Sequence, residues 1–256
     1  MPPAIHPVAG LGFGSAAEAY ERGRPSWAAG AVRLLEEELA LGPGRRVADV
    51  AAGTGKLTRL LGTSGAEVVA VEPIPEMATV LRRVVPGVPV ARGLAEQLPL
   101  RDGSVDAVVV AEAFHWFDTN AALAEVHRVL RPGGGLGLLW NRAGADPTPW
   151  QLELGVLLAG LRDPSVPFSG SNSTRDWAAE VAVAGGFTPV AQRTFRHEQT
   201  AEPEDVVAGA LSTSWVAARP EEKRRRFAEG VRSMLSGHGS PLTVPWRSEV
   251  LWCHRD

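Results

Sequence analysis

The stretch Val47-Ala-Asp-Val-Ala-Ala-Gly-Thr-Gly-Lys56 decides the fold. Residues 47–51 read as a short apolar strand, and residues 55–61 as a short helix. Between them, Gly53 and Gly55 form a turn without side-chain bulk, so a ligand can press against the backbone. The next apolar run, Glu67-Val-Val-Ala-Val-Glu72, reads as a second strand with a carboxylate, Glu72, at its end. Strand, glycine turn, helix, strand and acid form the skeleton of a nucleoside-binding α/β half-domain. An ionised carboxylate only accepts hydrogen bonds, which suits a pair of ribose hydroxyls.

The pattern extends outward in both directions. Upstream, helices are expected over 15–22 and 26–40, after a Pro/Gly-rich start. Downstream, helices over 75–85 and 120–130 alternate with strands over 88–92, 105–111 and 135–141. Apolar strands alternating with helices predict a parallel sheet covered on both faces. After Asn141 the composition shifts. Residues 143–172 are rich in Pro, Gly and Ser around a helix at 149–161. A helix at 174–185, a strand at 187–198, helices at 203–212 and 219–236 and a closing strand at 242–254 complete the reading.

Bulk composition narrows the function. With 256 residues there is room for one large domain and a small cap. The formal net charge of −3 gives no global attraction for nucleic acid or acidic membranes. The single cysteine, Cys253, excludes an internal disulfide and reads as a packed thiol. No signal peptide or membrane-spanning run is visible, so a cytoplasmic location is expected. The six histidines are scattered without paired ligand spacing, and no metal is expected. The sequence carries no signal for oligomeric state.

Two residues choose among nucleosides. A dinucleotide turn has a third glycine for close helix packing, and here that position is Thr58. Asp49, inside the first strand, is a poor neighbour for pyrophosphate and a good one for a cationic group. The pattern leans towards a cationic nucleoside over NAD.

Asp49-Val-Ala-Ala-Gly-Thr-Gly55 resembles motif I of class I S-adenosylmethionine-dependent methyltransferases. Glu72 stands where that family has its ribose-binding acid. Gly93-Leu-Ala-Glu-Gln-Leu-Pro-Leu-Arg-Asp-Gly-Ser-Val-Asp-Ala-Val-Val-Val-Ala111 resembles its adenine loop and fourth strand. Val126-His-Arg-Val-Leu-Arg-Pro-Gly-Gly134 resembles the turn before its fifth. Four motifs in order, over residues 14–141, make the resemblance specific. The small-molecule subgroup is nearest, from His115-Trp-Phe-Asp118 and the leader Phe13-Gly-Ser-Ala-Ala-Glu-Ala-Tyr20 with Arg24-Pro25.

The resemblance implies a Rossmann-like, doubly wound seven-stranded α/β sheet with the last strand antiparallel. It implies one domain over 1–256, with residues 1–40 capping the cofactor and 143–175 forming a lid. The implied cofactor is S-adenosyl-L-methionine, held by Tyr20, Arg24, Asp49, Ala51, Gly53, Thr54, Gly55, Glu72, Pro73, Met77, Leu94, Ala95, Glu96, Ala111 and His115. Leu94 departs from the family, where an Asp holds the adenine amino group. That duty would pass to the Ala95 and Glu96 backbone or the Glu96 side chain.

His115, at the carboxyl end of the fourth strand, is the one candidate catalytic base; otherwise it lines the donor site. Tyr20 and Arg24 share a helix face, and Arg24 could pair with the methionine carboxylate. Trp150, Trp177 and Trp215 could form an apolar acceptor cavity or pack ordinarily. Lys223-Arg-Arg-Arg226 reads as a solvated face offset by Glu221 and Glu222. The expected partner is a small-molecule acceptor. The alternatives are a protein of this fold that only binds or that catalyses a reaction other than methylation, and then an NAD-dependent oxidoreductase. A nucleic-acid methyltransferase is weaker still, since no Asn/Asp-Pro-Pro-Tyr-type motif follows the fourth strand.

Overall fold

The computed structural model describes residues 12–14, 16–144, 146–161 and 175–256. Strand β1 (Arg46–Val50) is buried from Val47 onward, as a central strand covered on both faces must be. It pairs in parallel with β2 (Glu67–Val71) on one side and β4 (Val105–Ala111) on the other. β3 (Val90–Ala91) and β5 (Leu130–Ala143) extend the parallel sheet outward. β7 (Leu242–His254) then runs antiparallel to β5, and β6 (Ala191–Ala201) antiparallel to β7 at the edge. The order is β3-β2-β1-β4-β5-β7-β6. The chain therefore reverses its direction of winding between β1 and β4. Open α/β sheets bind ligands at the carboxyl ends of the strands flanking such a switch.

The helices around the sheet include α1 (Ala17–Gly23), α2 (Ala29–Glu38), α3 (Thr58–Leu61), α4 (Pro75–Val84), α5 (Thr119–Val129), α6 (Pro149–Gly160), α7 (Trp177–Ala184), α8 (Pro203–Leu211), α9 (Ser214–Ala217) and α10 (Glu221–Leu235). On one face, Val108, Val110, Leu136, Leu138 and Trp140 pack against α5 and α7. On the other, Val47, Ala107, Val109 and Leu139 pack against Ala31, Val32 and Leu35 of α2. A side chain at Gly137 would strike Leu35, and one at Gly135 would strike Leu39, so these two glycines let α2 settle on β5. A further core joins α6, α8 and α10 with the start of β7.

One close approach positions the site. A Cβ on Gly23 would lie 1.9 Å from the Gly209 nitrogen, so α1 and α8 meet backbone to backbone. Only glycine permits that contact, and it fixes the residue after α1, Arg24, beside Ser212 at the end of α8.

The expected β4 and β7 match to the residue, and other elements shift. The helix after the glycine turn begins at Thr58, because Gly53 and Gly55 both have positive φ and delay the first helical residue. β5 is longer than expected, since pairing resumes across a bulge over residues 131–134. β6 begins at Ala191; Phe187 makes only an isolated bridge to Arg255. Residues 1–11 of the expected leader and 162–174 of the expected lid lie outside the described residues. The basic run on α10 is the paired surface expected, with Arg225 bonded to Glu222 and Glu229 and Arg226 to Glu222.

Candidate active site

β1 and β4 end in the same unusual way. Ala51 has φ +55° and Glu112 φ +57°, left-handed values that non-glycine residues adopt at a cost of about 1–2 kcal/mol. Such strain concentrates at functional sites. Both residues turn the chain away from the sheet, and the crevice between them holds two adjoining cavities. Tyr20, Ala51, Gly53, Ala111 and Glu112 line both.

The first cavity is mainly apolar. Its walls include Phe13, Pro73, Ile74, Met77, Leu94, Ala95, Trp116 and Phe117, with Glu72 and Glu96 as polar groups. Phe13 stands edge-on to both Tyr20 and Trp116, at 5.9 and 6.0 Å between centroids, so the leader forms part of the wall. Glu72 is only 3% exposed. Gly53 N–H donates to its Oε2 at 2.7 Å and Ile74 N–H to its Oε1 at 2.8 Å. The acid thus fixes the glycine turn, and each oxygen retains a lone pair for a ligand hydroxyl. Burial pushes the Glu72 carboxyl up to about 7, against those two backbone bonds. A Cβ at Gly53 would meet nothing within 4 Å, so the turn opens onto empty space where a ligand can approach the main chain.

The second cavity is charged. Arg24, Lys56 and Glu112 line it, with Trp27, Asn141 and Trp246. Arg24 lies 5.3 Å from the Tyr20 ring centroid, and its Nε donates to Ser212 Oγ at 2.9 Å. Burial depresses the Lys56 ammonium, with Glu21 opposing. Burial raises the Glu112 carboxyl, opposed by a hydrogen bond from Asn141 N–H, at 2.5 Å from Oε1. Tyr20 stands between the cavities, and burial pushes its phenol up to about 12.

The structure brings most expected site residues together. Tyr20, Ala51, Gly53, Glu72, Pro73, Met77, Leu94, Ala95, Glu96 and Ala111 line the first cavity, and Arg24 the second. Asp49, Thr54, Gly55 and His115 line neither. Asp49 sits beneath the turn, where Thr58 Oγ1 donates to its Oδ2 at 2.5 Å and Oδ1 is buried with no partner. Burial pushes it up to about 7. Thr54 is fully buried. Gly55, at φ +86°, gives α4 room, since a Cβ there would strike Val85 and Leu81. Glu96 Oε1 accepts from Asp118 N–H at 2.9 Å, tying the segment after β3 to the start of α5.

His115 packs on Trp116, 4.9 Å from it ring to ring, with its Nδ1 buried and unpartnered. Burial, reinforced by Arg142, Arg175 and Arg24, pushes it down to about 4. Trp150 and Trp177 are core residues; Trp177 stacks on Trp140 at 5.4 Å. Burial pushes the Cys253 thiol up to about 12, in keeping with a packed residue. Among the described residues no cluster of three His, Cys, Asp or Glu could hold a metal, and no helix is long and apolar enough to cross a membrane. Sequence reasoning missed Glu112 and Lys56. A charged residue directly after a continuous apolar run was the available signal for the first.

Residues 48–138 match the family described as a methyltransferase domain. An uncharacterized methyltransferase of Mycobacterium tuberculosis is 42% identical over 228 residues, covering 89% of this chain and 87% of that one. A structure from Anaeromyxobacter dehalogenans described as a type II methyltransferase shares the fold, with a TM-score of 0.65 at 23% identity over 91% of this chain and 97% of that one. Phosphoethanolamine N-methyltransferase 2 of Haemonchus contortus, solved with S-adenosyl-L-methionine, has a TM-score of 0.52 at 15% identity, over 95% of this chain and 56% of that one. With 42% identity over most of both chains, the chain belongs to the methyltransferase family.

Proposed function

We propose that the protein moves a methyl group from S-adenosylmethionine to an oxygen, nitrogen or carboxylate of a small molecule. The observation that carries this reading is the pair of unlike cavities meeting between Ala51 and Glu112. The apolar cavity suits adenine, with the Ala95 and Glu96 segment at its edge and Glu72 for the ribose hydroxyls. The charged cavity suits the amino-acid end, with Arg24 and Lys56 facing its carboxylate. Residues 1–40 cap the donor in this reading, supported by Phe13 and Tyr20 in the cavity wall. Neither nucleic acid nor a membrane is a partner.

The bound donor supplies an electrophilic methyl on a sulfonium, whose displacement leaves a neutral thioether. Little acid–base help is then needed, and the protein's work is alignment and exclusion of water. His115, depressed to about 4, is a neutral but weak base at physiological pH. General bases work best with a pKa near the working pH. We therefore assign His115 to supporting Trp116 and the cavity wall.

Calorimetry with S-adenosylhomocysteine, alongside NAD as a control, tests the donor. Micromolar binding of the first alone is expected, and absence of binding overturns the reading. Labelled S-adenosylmethionine with panels of small hydroxyl, amine and carboxylate compounds then tests the acceptor. Label transfer to none of them would sink the small-molecule assignment.

A further inference from the structure

Glu112 has no part in the reading so far, and its setting is unusual. It is the one residue with a carboxylate that lines both cavities. Its backbone is held at φ +57°, where glycine would be at ease and glutamate is strained. The strain sets the side chain at the seam between the cavities, and Asn141 N–H fixes Oε1 from behind. Its cationic neighbours are committed elsewhere. Arg142 bonds Glu249 at 3.1 Å, and Arg24 bonds the Ser212 hydroxyl and carbonyl. Among the described residues no ion pair reaches Glu112 within 4 Å. A half-buried carboxylate that Arg24 and Arg142 reach only through space, without a direct ion pair, still carries a desolvation cost. A cationic ligand group would remove that cost.

The second cavity's charges have a definite pattern: Arg24 and Lys56 are positive, and Glu112 is negative. An α-amino acid group presents the inverse, a carboxylate and an ammonium on one carbon. We propose that Glu112 is the counter-ion for the α-ammonium of the donor, so that the cavity selects a zwitterion through opposite charges. This rests on placing the amino-acid end in the second cavity. It adds a positioning residue that holds the donor's amino-acid tail at the mouth of the methyl-transfer site.

Three ligands separate the possibilities. S-adenosylhomocysteine carries both charges. 5′-(3-Aminopropyl)thioadenosine keeps the ammonium and lacks the carboxylate. 5′-Methylthioadenosine lacks both. In Glu112→Gln, calorimetry is expected to show a tenfold to hundredfold loss, roughly the worth of one charged hydrogen bond, for the first two ligands. Affinity for methylthioadenosine should change by less than about threefold. Arg24→Gln should weaken S-adenosylhomocysteine and spare the aminopropyl compound. Glu112→Gly guards against a folding artefact. It relieves the backbone strain, so its melting temperature should hold or rise while the same selective loss appears. Unchanged S-adenosylhomocysteine affinity in Glu112→Gln overturns the proposal; such a result would fit a carboxylate serving the methyl acceptor. An equal fall for methylthioadenosine also overturns it. If S-adenosylhomocysteine fails to bind the wild-type protein, the donor reading itself fails, which is a different result.

Discussion

The two cavities that meet between Ala51 and Glu112 recognise by different physics. The first is a largely apolar slot whose buried polar anchor, Glu72, is already hydrogen-bonded at both oxygens. The second gathers two cations and one carboxylate around a small space. In the first, affinity comes from burying a flat apolar ring and from a few hydrogen bonds of fixed direction. In the second, it comes from charges partly withdrawn from water before the ligand arrives, so each is sensitive to loss of its partner. A ligand that fills only the first cavity should ignore changes to the second, whereas changes to the shared wall should affect every ligand.

The shared wall gives the largest expected effect. Gly53 has φ +59° and opens onto empty space in both cavities. Gly53→Val places a branched side chain in that space and in an unfavourable conformation. More than hundredfold weaker binding is expected for S-adenosylhomocysteine and methylthioadenosine alike, with circular dichroism unchanged. Retained affinity for either would show that the ligand does not press on this turn.

Glu72→Gln should follow, at about 2–3 kcal/mol for both ligands, because ribose is common to them. Glutamine offers one oxygen where Glu72 serves two N–H donors, so an amide N–H would face Ile74 N–H or Gly53 N–H. Calorimetry should give the same loss for the two ligands. A loss confined to S-adenosylhomocysteine would mean that Glu72 serves the amino-acid end and would erase the contrast between the cavities.

How much of this contrast was visible in the sequence depended on distance along the chain. Glu72 and Gly53 lie 19 residues apart in one strand–turn–strand unit, so their relation could be read locally. β4 was legible to the residue because its burial is continuous and turns bound it on both sides. β6 was not, because an edge strand with mostly exposed side chains lacks an apolar run to mark its start. Asp49 reads as a ligand neighbour by spacing, but its strand places it beneath the turn, against Thr58. Arg24 was recognised by its spacing from Tyr20. Its anchor, Ser212, lies 188 residues away and depends on the Gly23–Gly209 contact, which has no local signature. Glu112 escaped because its meaning lies in a positive φ and a position between two cavities, neither of which is a sequence pattern.

A smaller effect should appear on changing pH. Burial raises Glu72 to about 7, and only the ionised form offers all its lone pairs to ribose. Lowering the pH through 7 protonates it in the free protein, so affinity should fall as pH falls. With a pKa near 7, moving from pH 8 to pH 6 costs about tenfold. Methylthioadenosine is the sharper probe, since it carries no amino-acid charges to answer to the second cavity. The slope should flatten in Glu72→Gln, and what remains belongs to Asp49, also raised to about 7 beneath the same turn. A flat wild-type profile over this range would mean that the acid is ionised well below 7 and that its two backbone donors outweigh its burial.

The least effect is expected at His115. It packs on Trp116 without lining either cavity, and burial with three neighbouring arginines keeps it neutral above about pH 4. In the proposed reading His115→Ala removes a ring packed on Trp116 and no group that lines either cavity. Affinity for S-adenosylhomocysteine and for methylthioadenosine should change by less than about threefold. Once an acceptor is known, turnover should fall modestly, without the about 10²–10⁴-fold loss that removal of a general base produces. A loss of that size with donor affinity intact would place His115 on the reaction path, because a wall residue acting through Trp116 must weaken donor binding as it slows turnover.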